Sequence, residues 1–399
     1  MRLAIDIGGT FTDIVLENEH ELLTKKVLTS IAQPELAVIE GISDLLNENN
    51  INSSEIKMII HGTTLATNAI IERKGAKTCF ITTEGFRDVL DIGYESRFDQ
   101  YDILIEKTMS LVPRKHRYVI EERTDINGSQ IKPINTTQFK KLIEKIKSEN
   151  FESIGIGFLH SYANSENENI LKEFIFNNLP GVEVSISSEV CPEIREYERF
   201  TTTVINAYIK PLMSNYLKKL EYELIEKGFN CPLLLMTSGG TLTNIPSACN
   251  NPVRLVESGP AGGAILATSI ARDLGLNKVI SFDMGGTTAK ITVIENKKAI
   301  KAREFEVDRK ARFKKGSGFP LRIPVIEMVE IGAGGGSIAR VNKLEQIITG
   351  PDSAGSLPGP ACYCNGGTLP TITDADLIIG KINPENFAGG KIKLSKDLA

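Results

Sequence analysis

The sequence predicts an α/β protein of two domains, and three observations carry that prediction. A chain of 399 residues is longer than one hydrophobic core usually serves. Short apolar runs alternate with longer runs whose apolar residues recur at helical spacing. Finally, the chain repeats itself. Ala4-Ile5-Asp6-Ile7-Gly8-Gly9-Thr10-Phe11-Thr12-Asp13 returns 277 residues later as Ser281-Phe282-Asp283-Met284-Gly285-Gly286-Thr287-Thr288-Ala289-Lys290.

Each copy reads as an apolar strand, a tight Asp-x-Gly-Gly-Thr turn and a second apolar strand. Gly-Gly between apolar runs is also an ordinary hairpin signal. Chance, however, produces this five-residue pattern on the order of once in 10⁵ positions at average residue usage. Two copies, each at a strand–turn–strand junction, favour a turn shaped for phosphate. Adjacent glycines bring bare N–H groups up to an anion, the threonine hydroxyls add donors, and the leading aspartate suits a hydrated Mg²⁺, which prefers oxygen ligands.

Composition narrows the classes. Hydrophobic residues make up 41% and charged residues 24% of the chain, with a net charge of −4, so nothing points to nucleic acid. The basic run Arg309 to Lys315 is short and precedes Gly316-Ser317-Gly318, and it reads as a solvated loop. No apolar stretch is long enough to cross a bilayer, and the N-terminus enters a strand without a charged-then-apolar leader. Six scattered cysteines form no disulfide framework, so the expectation is a reduced, cytoplasmic protein. Cys362-Tyr363-Cys364 lacks zinc-ribbon spacing, and the four histidines are scattered.

In chain order, a third strand is expected over 20–28, an amphipathic helix over 33–50 and a strand over 56–60. The strand runs into His61-Gly62-Thr63-Thr64, a strand-to-helix junction. Thr63 and Thr64 there either face a substrate or phosphate, or cap the helix. A strand over 78–82 precedes a polar, aromatic segment over 93–120 that contains Arg97 and reads as a lid. Helices are expected over 132–149 and 169–178, with strands over 153–159 and 182–187. The domain boundary falls near 187, giving domains 1–187 and 188–399. A helix over 200–227, bent at Pro211, follows. Glu257-Ser258-Gly259-Pro260-Ala261-Gly262-Gly263 opens a small-residue helix, and Gly332 to Ala339, with Gly334 and Gly335 at its centre, reads as a third glycine wall of the site.

Two phosphate hairpins in two halves resemble the plan of the actin, sugar kinase and Hsp70 superfamily, in which two RNase H-like domains flank a nucleotide cleft. The resemblance narrows to the hydantoinase A / 5-oxoprolinase family. It rests on Asp6 to Asp13, the His61 to Asn68 segment, Gly85 to Asp88, Arg195 to Arg199, Glu257 to Gly263, Asp283 to Thr287, Gly332 to Ser337, Gly359 to Tyr363 and Thr373 to Ala375. It implies an ATP-dependent hydrolase of cyclic amides (hydantoin, 5-oxoproline or another lactam). A sister branch carboxylates ketones, and a truncated nucleotide-binding or assembly module is the non-catalytic alternative.

On this resemblance Gly8, Gly9, Thr10, Thr12, Gly285, Gly286, Thr287 and Thr288 form the phosphate clamp, with Gly334 and Gly335 beside them. Asp6 and Asp283 hold Mg²⁺, Asp283 also orienting the reacting oxygen. His61, Thr63, Arg97 and Glu257 are candidate substrate contacts. The family's A-type chains are usually longer, with a further Gly-Gly-x-Gly-Pro element that resembles an adenosine-binding loop. In many members a separate B-type subunit performs the second step, so the resemblance implies a hydantoinase B-type partner, and the missing element implies a C-terminal completing chain.

Overall fold

The computed structural model describes the whole chain except Gly9, Thr10, His20, Ile31, Ala32, Ser96, Thr287, Arg312, Phe313 and Lys391, and the side chains of Pro351 and Ala388. The fold is mixed α/β and forms two compact units interleaved in sequence. One unit comprises residues 1–52, 259–301 and 326–399; the other comprises 53–258 and 302–325. These units differ from the contiguous halves 1–187 and 188–399. Both Asp-x-Gly-Gly-Thr hairpins fall in the first unit, because the chain returns to it at Gly259.

In the first unit, strands Arg2–Ile7, Phe11–Glu17 and Leu22–Leu28 form an antiparallel meander. Period-two alternation buries Leu3, Ile5, Ile7, Ile14 and Leu16 on one face. Helix Pro34–Glu48 lies over that face through Val38, Ile42 and Leu45, starting with proline in its first turn. It approaches so closely at Gly41 that a Cβ there would stand 2.5 Å from Ile14 Cδ1.

The second hairpin pairs Lys278–Met284 with Ala289–Glu295, and Val329–Ile331 adds a further antiparallel strand to Ala289–Glu295. Helix Ser258–Asp273 packs in this unit through Ala261 and Ala264 against Ile326. A C-terminal cluster gathers Cys362, Leu377 and Leu394 around helix Ile372–Ile378, whose Thr371 and Asp374 form a capping box. Burial, followed by the neighbouring Asp374, pushes the Cys362 thiol up to about 12.

The second unit contains a parallel sheet in the order Glu183–Ile186, Ser153–Gly157, Thr78–Thr83, Arg117–Ile120. Helices Phe139–Glu149 and Glu166–Asn178 pack on one face through Phe139, Leu142, Ile146, Leu171 and Ile175. The long helix Glu196–Glu226 runs through Pro211, and its Phe200 and Val204 pack with Phe80 of the sheet. Such two-sided burial is what makes these strands nearly continuous apolar runs.

Two expected elements differ. Lys132 ends a short strand, Gln130–Lys132, and the helix begins only at Phe139, after an Asn135 side chain that accepts the Thr137 N–H. Arg117, expected in a loop, is buried in the sheet and pairs bidentately with Asp91 at 2.7 Å.

A buried polar bridge ties the sheet to the long helix. The Glu168 carboxylate accepts from Phe158 N–H at 2.9 Å, from Ser187 Oγ and Ser188 Oγ at 2.6 Å each, and from Ser188 N–H at 2.9 Å. Arg199 donates to the carbonyls of Glu193 at 2.8 Å and Phe158 at 3.1 Å. Burial pulls the Arg199 pKa below the ordinary guanidinium value, while Glu168 and Glu196 oppose that shift. The Arg309 to Lys315 run is also paired: among its described residues Arg309, Lys310, Lys314 and Lys315 meet Glu306, Glu106, Asp99 and Glu304.

In the second unit the sheet meets the long helix closely at Gly157, where a Cβ would stand 2.6 Å from Phe200 Cδ1 and 2.9 Å from Phe80 Cζ. Both rings are fully buried. Gly157→Ala is therefore expected to destabilise the protein by about 1–3 kcal/mol through overpacking. Urea unfolding checks this as a lowered midpoint, and an unchanged midpoint would show that the rings can move aside.

Candidate active site

The two hairpins fold by the same rule. In the first, Ile7 pairs with Thr12 and the Gly8 N–H donates to the Phe11 carbonyl at 2.9 Å. In the second, Met284 pairs with Ala289 and the Gly285 N–H donates to the Thr288 carbonyl at 2.9 Å. The repeat in sequence is thus a repeat in register, residue for residue. Gly9, Thr10 and Thr287 lie outside the described residues.

Register also places the aspartates. Asp6 is opposite Asp13, and Asp283 is opposite Lys290. Asp6 projects from the face opposite the buried Leu3, Ile5 and Ile7, and Asp283 from the face opposite Phe282 and Met284, since side chains alternate along a strand. Helix Ser258–Asp273 meets both. A Cβ on Gly259 would stand 3.2 Å from Asp6 Oδ1, and one on Gly263 would stand 3.9 Å from Asp283 Oδ2. Gly259 and Gly263 are four residues apart, so they share a helix face, and that face is bare. The first two turns of this 16-residue helix therefore lie beside two carboxylates.

Asp6 is open to solvent yet crowded by protein. That crowding, then the Asp13 carboxylate, then the Asp283 carboxylate hold its pKa above the usual aspartate value, against the pull of Lys26. Lys26 is engaged with Asp13 at 2.5 Å. Two carboxylates this near each other would repel a bare polyphosphate. A divalent cation between them reverses the sign, and two carboxylates plus phosphate oxygens and waters are the donor set Mg²⁺ uses. The helix N-terminus adds positive potential on the same side. The residues present fit such an ion.

Several predicted ligands act on the hairpins instead. Thr12 is fully buried; its hydroxyl meets Thr29 Oγ1 at 3.0 Å, and Thr29 donates to the Gly8 carbonyl at 3.0 Å. Thr12 thus props the first turn from behind. The third glycine wall does the same for the second turn. Gly335 N–H donates to the Gly285 carbonyl at 2.9 Å, Gly336 N–H to the Gly286 carbonyl at 2.8 Å, and Gly334 N–H to Ser337 Oγ at 2.9 Å. With those N–H groups committed, Gly334 and Gly335 buttress the hairpin and do not offer donors to a ligand. Thr373 N–H closes the other side by donating to the Gly335 carbonyl at 2.8 Å. Gly285 and Gly286 themselves stay exposed, and Thr288 is half-buried.

The weaker substrate candidates belong to the second unit. His61 is fully buried, with its Nε2 2.8 Å from the Tyr216 hydroxyl on the long helix. It lies inside with Ile59 and Thr63, as strand parity requires. Thr63 is buried too; its Oγ1 accepts the Leu65 N–H at 3.1 Å, and its backbone exchanges hydrogen bonds with Ser258 Oγ at 3.2 and 3.0 Å. The capping role falls to Thr63, since the Thr64 side chain makes no capping bond. Glu257 has φ +62, a strained conformation for a residue with a side chain, and its N–H donates to Thr67 Oγ1 at 3.0 Å. Arg97 donates to the Asp102 carbonyl within its own exposed segment. A cavity of about 540 Å³ lined by Phe176, Glu183 and Lys210 contains none of the predicted residues.

Gly259 and Gly263 lie in the small-residue segment, and Gly336 in the glycine wall, that the sequence had marked; their partners, and Thr29, were not singled out. The signal for the first two was available in the i, i+4 glycine spacing beside the Asp-Gly-Gly turns.

Two outcomes follow from this geometry. A Cβ at Gly336 would stand 2.7 Å from Ser353 Oγ and 3.1 Å from the Gly286 carbonyl, so Gly336→Ala shifts the second turn. The expected cost is about 1–3 kcal/mol in chemical denaturation. Asp6 favours the folded state while protonated, and that contribution is lost as pH rises through its raised pKa. Asp6→Asn should therefore gain stability on the wild type as pH climbs above the ordinary value of 3.8, the two converging below it. Melting curves between pH 3 and 8 test the direction; a variant that falls behind with rising pH refutes it.

The chain is similar to known proteins along its whole length. Residues 199–399 match the family model described as hydantoinase/oxoprolinase, and residues 2–179 match the hydantoinase/oxoprolinase N-terminal region. An uncharacterized protein of Methanocaldococcus jannaschii is 45% identical over all of this chain and 59% of its own length. The caprolactamase subunit alpha of Pseudomonas jessenii is 33% identical over 100% of this chain and 57% of its own. The crystal structure of the ATP-dependent caprolactamase from that organism superposes with a TM-score of 0.85 at 31% identity, covering 100% of this chain and 57% of that one. A nucleotide-free acetone carboxylase superposes with a TM-score of 0.80 at 25% identity, again over 100% and 57%. The chain thus spans a little over half the length of these relatives. It belongs to the hydantoinase/oxoprolinase family.

Proposed function

We propose that this chain is the A-type component of an ATP-dependent cyclic-amide hydrolase. The observation that carries this reading is the convergence of Asp6 and Asp283, from two hairpins of one register, on the glycine face of helix Ser258–Asp273. Likeness to a caprolactamase that is itself ATP-dependent supports the substrate class.

When bound, Mg²⁺·ATP supplies the phosphoryl group that makes an amide carbonyl oxygen a good leaving group. The chain's own residues position and neutralise. Asp6 and Asp283 hold the cation, Asp283 orients the reacting oxygen, and the turns at Gly8 and Gly285–Gly286, with Gly9, Thr10, Thr287 and Thr288, contact the phosphates. Water would then add to the phosphorylated carbonyl carbon, the ring C–N bond would break with the nitrogen leaving as an amine, and a second water would release inorganic phosphate from the resulting acyl phosphate. A hydantoinase B-type partner performs that second step, and a completing chain region supplies the adenosine contact. The reaction takes place in the cytoplasm.

A ketone carboxylase subunit is the second reading, supported by the likeness to acetone carboxylase. It differs in requiring bicarbonate and a carbon nucleophile in place of water.

The test is phosphate release by the complete complex across a lactam panel with Mg²⁺ and ATP. Release stimulated by one lactam without bicarbonate is the expected result, and Asp283→Asn should lower it by about 10²–10³-fold. No stimulated release by any lactam, or full activity in Asp283→Asn, refutes the hydrolase reading; stimulation by a ketone with bicarbonate selects the carboxylase.

A further inference from the structure

The internal repeat allows a comparison within one compact unit. Leu3, Ile5 and Ile7 of the first hairpin are 0%, 2% and 0% exposed; the residues at the same places in the second, Ile280, Phe282 and Met284, are 71%, 56% and 37% exposed. Val293, which faces Ile280 across the second hairpin, is also exposed, whereas Leu16, which faces Leu3 across the first, is fully buried. The registers are the same, so the difference lies in what covers each face. Helix Pro34–Glu48 lies over the first, close enough at Gly41 to touch Ile14. Helix Ser258–Asp273 approaches the second hairpin from the other side, where Gly263 meets Asp283. Among the described residues, strand Lys278–Met284 also pairs on one edge only. An open apolar face beside an unpaired strand edge is an interaction surface or an aggregation hazard.

We propose that this face is a docking surface for a polypeptide that adds a strand to the free edge of Lys278–Met284 and lays an amphipathic helix over Ile280, Phe282 and Met284. The occupant is the region that the longer relatives carry outside the stretch matched here. This chain covers 59% and 57% of the two relatives compared by sequence, so each has a further domain-sized stretch available. The first hairpin shows the chemistry required: a helix with apolar residues at i, i+4 and i+7, as Val38, Ile42 and Leu45 provide, and a small residue where it crosses the sheet. Edge pairing fixes direction and register, and the apolar side chains supply affinity. The docking deepens the partner named above and does not depend on the reaction.

The test co-expresses the 399-residue chain with a tagged copy of the Methanocaldococcus jannaschii protein's region outside the matched stretch. Association is measured without nucleotide, so its result is independent of any lactam assay. A one-to-one complex is expected. Phe282→Glu and Ile280→Glu should weaken it by at least about a hundredfold, while Phe176→Glu, at an exposed phenylalanine of the other unit, leaves it unchanged. In the isolated chain Phe282→Glu should keep the unfolding midpoint, whereas Ile5→Glu, at the equivalent buried position, should lower it. No complex, a complex indifferent to Phe282→Glu, or a homodimer of this chain that Phe282→Glu converts to monomer would each overturn the proposal.

Discussion

The constraint on which the rest depends is electrostatic. Two aspartates, 277 residues apart in sequence, are held where they meet the same bare face of one helix. Alone they oppose each other, and that opposition adds, after burial and the Asp13 carboxylate, to the raised pKa of Asp6. On the proposed function, a divalent cation between them offsets that repulsion. The cost is borne by the unit's packing, through the meander under Asp6 and the buttressed turn under Asp283.

That buttressing explains why so many glycines and threonines surround the turns. Thr12 and Thr29 fix the first turn through the Gly8 carbonyl; Gly335 and Gly336 fix the second through the carbonyls of Gly285 and Gly286. Carbonyls held from behind leave the opposite side of each turn to face outward. The Gly334 to Gly336 loop therefore serves the site by shaping the hairpin, and a side chain on Gly335 or Gly336 would collide with Thr373 or Ser353.

Much of this was legible in the sequence. The hairpins, the aspartates and the small-residue helix follow from apolar periodicity and glycine punctuation, which are local signals. What was not legible is where polar groups find partners. A glycine-rich loop looks the same whether its N–H groups face a phosphate or another loop, and Gly335 shows the second case. Thr12 looked like a donor, but parity with Ile14 and Leu16 puts it on the buried face. His61 was open to the same argument, because Ile59, His61 and Thr63 point one way along their strand. The interleaving of the two units is the property sequence order conceals most, since contiguous halves were the simplest expectation and the chain instead re-enters its first unit at Gly259.

The most direct test of the central claim is calorimetric titration of inorganic tripolyphosphate into the 399-residue chain with and without Mn²⁺, a divalent stand-in for Mg²⁺ with a paramagnetic signal. Tripolyphosphate isolates the phosphate clamp from any adenosine contact. The account predicts binding that requires the metal, metal binding strengthened by the polyphosphate, and loss of both in Asp6→Asn and in Asp283→Asn. Binding of tripolyphosphate with equal affinity in the absence of metal, and unchanged in both variants, would contradict it.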